Sequence, residues 1–560
     1  MTALTQSLEL SVLETPVQNS ERENDINRYG QEGGKRKSER SLEDGRAQEH
    51  DDQEYPARWK LILITIGLCM AVFCMALDET IVATAIPRIT DEFHALDDVG
   101  WYATAYLLTI CSFQLIIGKL YALYNVKWVF LSAIGFFELG SLISGVAPNS
   151  TVLISGRAVA GIGAAGLFSG ALLIIAQSVP LRQRPAYIGF IGAMFAIASV
   201  VGPLLGGAFT SRLTWRWCFY INLPFGGLTA LFIVVFFNSY GKSQDGVDWK
   251  QQTSQLDLEG TICLLPGILS LLLALQWGGT KYSWSNGRII ALFIVFAVLI
   301  IAFVLIQVWK GERATVPPRV FLNRNVWGCA IFGACFGASF FLLIYYISVW
   351  FQAVKGVSAF HSGIMILPSI LSVVVMSIIV GSATTAIGYY TPFIYASSVT
   401  MSIGAGLLTT FTIDTSSRQW IGYQVLYGLG AGLGMQQPLI AIQATLPAQD
   451  IAIGTAVFMF AETAGGAIFI AAGQSIFTNQ LMKLVAAANI PQLDPALILL
   501  NGATQLRSFV PPQYLRPLLV AYNEALTRTW YLVVGMAALS IVGALFIEWK
   551  SVKGIKIMIG

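Results

Sequence analysis

Ionisable side chains lie inside long apolar stretches at four places in this 560-residue sequence. Asp78 and Glu79 interrupt one stretch, and Glu138, Arg157 and Glu462 lie in three others. A charged group at the centre of a bilayer costs roughly 2.5–3.5 kcal/mol on insertion scales, so such residues normally pair with one another or line a pathway. The chemistry available to them is proton binding by the carboxyl groups and charge pairing by the arginine.

The elements that must hold these residues are membrane helices. The sequence is 55% hydrophobic and 12% charged, whereas about a quarter of a typical soluble chain is charged. Many stretches reach the roughly 20 apolar residues that a membrane-crossing helix needs. Continuous apolar runs favour helices over the alternating strands of a barrel. The net charge of +3 does not indicate a nucleic-acid partner.

Hydropathy predicts an even number of spanning helices, fourteen, which places both termini on one side of the membrane. Lysine and arginine are more frequent in the segments on that side, so the positive-inside rule predicts cytoplasmic termini. The predicted spans are 61–83, 100–121, 127–147, 151–178, 186–209, 217–237, 258–277, 288–309, 326–350, 360–384, 390–411, 420–444, 452–476 and 529–549.

The polar N-terminal segment, which is almost free of aromatic residues, is expected to be disordered and cytoplasmic. Five regions follow from this reading: the tail 1–56, a six-helix half 57–237, a linker with two extra helices 238–325, a second six-helix half 326–550 with a long extracellular loop at about 477–528, and a cytoplasmic tail 551–560.

Two helical stretches share a pattern that indicates an internal repeat. "GIGAAG" and "GLGAGL" align on Gly161 and Gly428, and Pro180 and Pro447 close both stretches at the same distance. Repeated halves are typical of secondary transporters that rock around a central site. No strand precedes "GIGAAG", so close helix packing explains its glycines better than dinucleotide binding does. No P-loop is present, and an ion gradient rather than ATP is the expected energy source.

Several of these motifs together resemble the fourteen-span drug:proton antiporter branch of the major facilitator superfamily, and in particular its fungal toxin-efflux members. "LDETIVATAIPRI" resembles the first-helix motif, with Asp78 at its acidic position. "GRAVAGIGAAG" resembles the fourth-helix motif, with Arg157 at its basic position. "GPLLGG" is similar to the fifth-helix antiporter motif, through Gly202, Pro203, Gly206 and Gly207.

The segment "GKLYALYNVKWVFL" resembles the family's helix 2–3 loop motif. It keeps Gly118 and the basic Lys127, but it has Ala122 where the wider superfamily has an aspartate. This difference weakens the expectation of a charge-relay gate in the loop. The resemblance covers about residues 57–550 and implies an all-α fold with two pseudo-symmetric six-helix halves and two additional helices between them.

The resemblance also suggests roles for the intramembrane charges. The first and fourth helices face the cavity in this family, so Arg157 is the natural partner of Asp78. Glu79 points about 100° away from its neighbour around the helix, so both acids cannot face one partner equally. Glu462 is interpreted as a second proton site or an anchor for a cationic substrate. Glu138 is either a further coupling residue or a structural hydrogen-bonding residue.

Aromatic and amide side chains suit an amphipathic ligand. The residues predicted to contact a substrate are Tyr345, Tyr346, Trp350, Gln436 and Gln437, although aromatic residues at helical spacing more often belong to a core.

The resemblance implies proton-coupled export of a small amphipathic compound, a secondary metabolite, toxin or xenobiotic drug, by alternating access at the plasma membrane. A vacuolar or vesicle membrane is the alternative location. A siderophore or basic amino-acid transporter of the same superfamily is the nearest rival, and a non-transporting receptor is a rival of another class. No enzyme activity and no cofactor are expected, and the expected partners are a small molecule and the lipid bilayer around a monomer.

Overall fold

The computed structural model describes residues 56–94, 98–238, 257–279, 282–487 and 511–553. Within these ranges the regular structure is helical, apart from two isolated β-bridges. Fourteen helices in the described part are long and apolar enough to cross a membrane, the number that hydropathy predicts. The predicted N-terminal tail lies outside the described residues except for Pro56, and most of the predicted C-terminal tail also lies outside them.

Seven helices form the six spans of the first half, because the sixth span is divided near its start. Asparagine side chains begin two of them: Asn125 accepts a hydrogen bond from the backbone of Lys127 at 2.9 Å, and Asn149 accepts one from Val152 at 3.0 Å, which satisfies backbone donors that a helix start leaves free. The helices are α1 (Arg58–Phe93), α2 (Val99–Leu123), α3 (Val126–Gly145), α4 (Ser150–Ser178), α5 (Arg184–Arg212), α6 (Trp217–Tyr220) and α7 (Asn222–Phe236).

The remaining helices comprise the two additional spans, a short connecting helix and the second half. They are α8 (Leu258–Trp277), α9 (Gly287–Lys310), α10 (Pro318–Phe321), α11 (Arg324–Ala353), α12 (Ala359–Ile387), α13 (Thr391–Leu408), α14 (Ser417–Gly434), α15 (Gln437–Thr445), α16 (Ile451–Ala487) and α17 (Pro512–Phe546).

Several predicted boundaries differ from the structure. The span predicted as 420–444 is broken between α14 and α15, where Pro438 in the first turn of α15 has no N–H to continue the hydrogen-bond ladder. Both ends of the predicted loop 477–528 are helical, since 477–487 belong to α16 and 512–528 to α17. Hydropathy detects only the apolar part of a helix, and these two helices continue beyond it.

The two halves repeat the same helix contacts. In the first half α1 packs against α5 and α3 against α4, and in the second half α11 packs against α16 and α13 against α14. In both halves a glycine allows the close approach of the second pair, α3–α4 or α13–α14. A methyl group at Gly140 would lie 2.5 Å from the Cα of Ala160, and one at Gly404 would lie 2.6 Å from the Cα of Tyr427. The repeat read from the sequence is therefore present in the packing.

The halves meet along two seams, α2 against α16 and α5 against α12. The first additional helix, α8, packs against α9 and lies beside α2 and α16. For orientation, the Arg58 face is the end of the bundle at which α1 begins, and the opposite face is the end at which α1 finishes.

Candidate transport site

The centre of the first half contains a buried ion pair. Asp78 of α1 and Arg157 of α4 are 0% and 1% exposed. The Nη1 of Arg157 donates to Oδ2 of Asp78, and Nδ2 of Asn222 on α7 donates to Oδ1 at 3.2 Å. The structure thus brings together the two residues that the motif resemblance pairs, and it adds a third.

The guanidinium of Arg157 is held by more than its charge. Its Nε donates to the carbonyl oxygen of Tyr102 at 2.8 Å, and its Cζ lies 4.3 Å from the ring centroid of Tyr106. The hydroxyl of Tyr106 in turn donates to the carbonyl of Met75 on α1 at 3.0 Å. These contacts fix the arginine against α1 and α2, so the position of Asp78 relative to α4 is set by several bonds.

Further polar contacts extend from this pair in both directions. Asn222 also donates to the hydroxyl of Ser141 on α3 at 3.1 Å. Towards the opposite face, the hydroxyl of Tyr102 donates to Ser150, which donates to Asp98 at 2.5 Å. Asn222 and Ser141 are not among the site residues predicted from the sequence. An amide inside the apolar stretch of the sixth span was a visible signal for Asn222.

The other predicted acids have no such partners. Glu79 and Glu462 are half-buried and form no hydrogen bond or ion pair with the described residues. Glu462 lies on α16 where Gly337 of α11 approaches it, and a methyl group at Gly337 would lie 3.1 Å from the Cγ of Glu462. Glu138 lies inside the first half between α1, α3 and α7.

The fifth-helix motif lies against α1 just after the acidic residues Asp78 and Glu79. A methyl group at Gly202 would lie 3.0 Å from the Cβ of Thr80, the residue after Glu79, so α5 passes close to α1 here. The hydroxyl of Thr210 donates to the carbonyl of Gly206 at 2.5 Å. The backbone is helical from Arg184 to Arg212, through Pro203 and Gly207.

Both residues of the predicted helix 2–3 loop motif lie in helices. Gly118 is inside α2, and a methyl group there would collide with the Cβ of Ala456 on α16, so it allows the two halves to touch. The Nζ of Lys127, in the first turn of α3, donates to the carbonyls of Val234 and Phe237 at 2.8 and 2.7 Å. It therefore binds the carbonyl end of α7.

The predicted substrate contacts lie mainly in the core of the second half. Trp350 and Tyr346 are 0% and 1% exposed, and their polar atoms bond Asn523 at 2.7 Å and Gln474 at 3.0 Å. Because they are buried, these two rings offer no surface to a substrate in this conformation. The spacing of aromatic residues in the sequence does not show which rings face the core and which face a cavity.

The other three predicted contacts are divided between surface and core. Tyr345 is 50% exposed, whereas Gln436 and Gln437 are buried. Gln437 accepts a hydrogen bond from Thr384. Gln436 lies in the break between α14 and α15 and packs against Gly192 of α5, at the contact between the halves. Its position makes it the best placed of the five to respond to movement between the halves.

The seams are close-packed towards the Arg58 face. Gly118 touches Ala456 in one seam, and in the other a methyl group at Gly381 would lie 2.6 Å from the carbonyl oxygen of Pro185. Along α16, residues 451–458 are buried, whereas 459–464, which include Glu462, are half-buried. In the α2–α16 seam, the packing around α16 is therefore looser beyond the level of Ala456.

The linker after α9 adds contacts at the Arg58 face. Lys119 of α2 donates to the carbonyl of Ala314 at 2.6 Å. Arg319 of α10 binds Asp450 at the start of α16, with Nη2 3.0 Å from Oδ1, and its Nε donates to Glu312. Hydrogen bonds to Glu312 and Asp450 raise the pKa of Arg319 above its ordinary value. The two helices of one seam, α2 and α16, are therefore both bonded to the linker that follows the additional helices α8 and α9.

Comparison with known proteins agrees with this architecture. The profile of the Major Facilitator Superfamily matches residues 68–470. The "MFS-type efflux pump MFS1" of Arthroderma benhamiae is 58% identical over 499 residues, which cover 89% of this chain and 93% of that protein. The "Efflux pump aflT" of Aspergillus parasiticus is 52% identical over 498 residues, which cover 88% and 96%.

Solved structures show the same fold. The proton:xylose symporter XylE, bound to 6-bromo-6-deoxy-D-glucose, has a TM-score of 0.59 at 12% identity and covers 89% of this chain and 98% of its own. The human organic anion transporter MFSD10 (TETRAN) has a TM-score of 0.57 at 13% identity and covers 88% and 100%. The chain belongs to the major facilitator superfamily. It is a multi-pass membrane transporter and not an enzyme, and its sequence relatives give it an efflux role.

Proposed function

We propose that this transporter exports small amphipathic compounds, a secondary metabolite, toxin or xenobiotic, across the plasma membrane in exchange for protons. Both termini are cytoplasmic in this proposal, and transport proceeds by alternating access. The observation that carries it is the buried pair of Asp78 and Arg157, which joins α1 to α4 at the centre of the first half. The curated relatives named as efflux pumps support the direction of transport.

Protonation of Asp78 is the proposed coupling step. A proton on this carboxylate removes its charge, so its bonds to Arg157 and Asn222 weaken and α1 is released from α4 and α7. Loss of one partner of a buried ion pair costs about 3–5 kcal/mol, so proton binding and helix movement become linked equilibria. A membrane potential of 100 mV adds about 2.3 kcal/mol per proton.

The packing of the two seams indicates how the proposed alternating access proceeds. In the proposed orientation the Arg58 face is cytoplasmic, so the close-packed seams shut the inner side and the conformation faces outward. Opening inward separates Gly118 from Ala456 and Gly381 from Pro185, and it releases Arg319 from Asp450. The looser contacts nearer the opposite face then have to close.

We place cargo recognition on the half-buried surface between α11 and α16. Glu462 supplies a carboxylate without a protein partner in the described part of the chain, and half-buried Phe340 on α11 supplies an aromatic ring. The ring centroid of Phe340 lies 5.8 Å from that of Phe336, and the two rings are stacked. A carboxylate beside aromatic rings suits an amphipathic cation.

Transport into inside-out plasma-membrane vesicles tests the proposal, with ethidium as the probe. Acidifying the vesicle interior should drive ethidium uptake, and a protonophore should abolish it. Asp78→Asn should stop gradient-driven uptake with an unchanged amount of protein in the membrane, whereas Asp414→Asn, at an exposed carboxylate of the opposite face, should leave it intact. Uptake that a protonophore does not alter would refute proton coupling. Competition by lysine or by a ferric siderophore would favour the rival cargo classes.

A further inference from the structure

The oxygens of a second carboxyl group in the first half are buried and have no hydrogen-bond partner among the described residues. Both side-chain oxygens of Glu138 on α3 are shielded from solvent, and neither has a hydrogen-bond partner in the described part of the chain. An ionised carboxylate in such a place has a prohibitive desolvation cost, so the group takes up a proton instead. The neutral acid is therefore the form that this site accepts in the present conformation.

The space around this carboxyl group depends on a glycine. Glu138 lines a cavity of about 10 Å³ together with Cys74 of α1, Leu167 of α4 and Gly226 of α7, close to the smallest volume that holds one water. A methyl group at Gly226 would collide with Oε1 of Glu138 and would lie 3.0 Å from its Cγ. The absence of a side chain at this position makes room for the acid.

The cavity lies one helical turn from the bonded group Asp78, Asn222 and Ser141, on each of the helices α1, α7 and α3. Cys74 precedes Asp78 by one turn on α1, and Glu138 precedes Ser141 by one turn on α3. On α7, which runs in the opposite direction, Gly226 follows Asn222 by one turn. Asp78, Asn222 and Ser141 are joined by hydrogen bonds, so Glu138 lies about 5.4 Å along the axis from that layer, on the side of the Arg58 face.

We propose that Glu138 is a second proton-binding site that works in series with Asp78. The proton leaves the carboxylic acid of Asp78 and binds the carboxylate of Glu138. Asp78 becomes the anion that pairs with Arg157, and Glu138 becomes neutral. Net charge is conserved in this transfer. The hydroxyl of Ser141, which accepts from Asn222 in the Asp78 layer and lies one turn from Glu138 on α3, serves as the relay. The proposal rests on the proton coupling put forward above.

The surroundings of Glu138 favour proton transfer from Asp78 to Glu138. The titratable groups of the described residues nearest to Glu138 are Cys74 in the same cavity and Asp78, one turn further along α1; Arg157 lies beyond Asp78, to which it is bonded. The residues that α4 and α7 contribute to the cavity, Leu167, Gly226 and Thr229, do not titrate. If the Arg58 face is cytoplasmic, Glu138 lies on the inner side of Asp78, where a proton that entered from outside must go next.

The test uses purified full-length protein in proteoliposomes, with ethidium as the probe and Glu138→Gln as the variant. Gradient-driven ethidium accumulation should fall more than tenfold, whereas ethidium exchange at zero gradient should stay within twofold of wild type. The infrared band of a protonated carboxyl group should be lost in the variant. Glu524→Gln, which alters a half-exposed acid bonded to Arg528, is the matched control and should resemble wild type.

The outcomes separate this inference from the proposed function. Wild-type transport that ignores the proton gradient overturns the proposed function itself. Gradient-driven transport in wild type and equally in Glu138→Gln overturns only the role of Glu138. Should the variant fail to fold, carbodiimide labelling of wild type decides: an adduct at Glu138 supports a proton-carrying acid, and labelling of Glu462 without Glu138 contradicts it.

Discussion

The two halves of the bundle make the same kind of helix contact with different chemistry. In the first half, Arg157 of α4 donates to the carbonyl of Tyr102 on α2. At the aligned position of the second half, Gln424 of α14 donates to the carbonyl of Met365 on α12 at 3.1 Å and accepts from Ser369 at 3.1 Å. Both side chains are buried. A neutral amide is therefore sufficient to bind α14 to α12.

This difference indicates what the charge in the first half is for. The packing glycines are repeated, with Gly140 against Ala160 and Gly404 against Tyr427, so the scaffold is common to both halves. The buried arginine is present in one half only at this position, although the second half folds without it. We infer that the ion pair serves proton coupling rather than folding, and that the second half serves cargo recognition.

The largest effect is expected when the first half is made to resemble the second. Arg157→Gln leaves Asp78 buried without its counter-charge, which should cost about 3–5 kcal/mol of stability. Gradient-driven ethidium transport should fall by more than about a hundredfold, since each 1.4 kcal/mol is a factor of ten. Apparent melting temperature in detergent and transport in proteoliposomes measure the two effects.

The double variant Asp78→Asn/Arg157→Gln separates stability from function. Replacing both charges by amides removes the uncompensated carboxylate, so most of the lost stability should return. Gradient-driven transport should remain absent. Transport restored in the double variant would show that the pair is structural.

The helical scaffold is predictable from the sequence because its signals are local. Apolar length marks the spans, and the glycine spacing around Gly161 and Gly428 marks the repeat. Asp78 and Arg157 are recognisable in the sequence because a charged residue in an apolar stretch is costly and is usually functional. Asn222 and Ser141 were missed because uncharged polar residues are common in membrane helices, and only the three-dimensional packing shows which of them reaches Asp78.

The aromatic residues show the limit of reading a pattern without its packing. Tyr345 and Tyr346 are adjacent in sequence, yet one is half exposed and the other buried. Helical spacing places them on different faces, but it does not say which face meets lipid, core or cavity. The break at Gln436 was also missed, although Gly434 and Pro438 on either side of it were visible signals.

The reverse exchange should have the second-largest effect. Gln424→Arg introduces a buried cation into the second half, where Ser369 and Met365 offer no negative charge. The cost should be about 2.5–3.5 kcal/mol, visible as a lower yield of folded protein and a lower apparent melting temperature. Ser417→Arg, at an exposed position of the same helix, is the control. A variant as stable as wild type would mean that the second half tolerates charge as the first does.

A smaller effect is expected at Glu462, whose carboxylate has no partner among the described residues. Glu462→Gln should raise the KM for ethidium about tenfold, equivalent to 1.4 kcal/mol of binding, because the cation loses its counter-charge. The KM for the uncharged ester calcein acetoxymethyl ester should not change. Equal effects on both probes would place Glu462 in coupling rather than in cargo recognition.

The smallest effects are expected where each half forms a charged contact on the opposite face. In the first half, Glu92 accepts from Trp215 at 2.6 Å and from Arg216 at 2.9 Å, and the bond from Trp215, followed by that from Arg216, lowers the pKa of Glu92. In the second half, Asp414 and Arg516 lie 3.2 Å apart with both side chains over 70% exposed.

Because the pKa of Glu92 is lower in the folded protein, its contribution to stability is present above the ordinary glutamate pKa of about 4.3 and is lost as the pH falls through the folded value. Glu92→Gln should therefore lower the apparent melting temperature slightly at pH 7, by the equivalent of about 0.2–1 kcal/mol for a partly exposed pair, and the difference should shrink on acidification. Arg516→Ala should change nothing at either pH. A loss that grows on acidification, or an Arg516→Ala effect as large as that of Glu92→Gln, would mean that burial does not distinguish these two contacts.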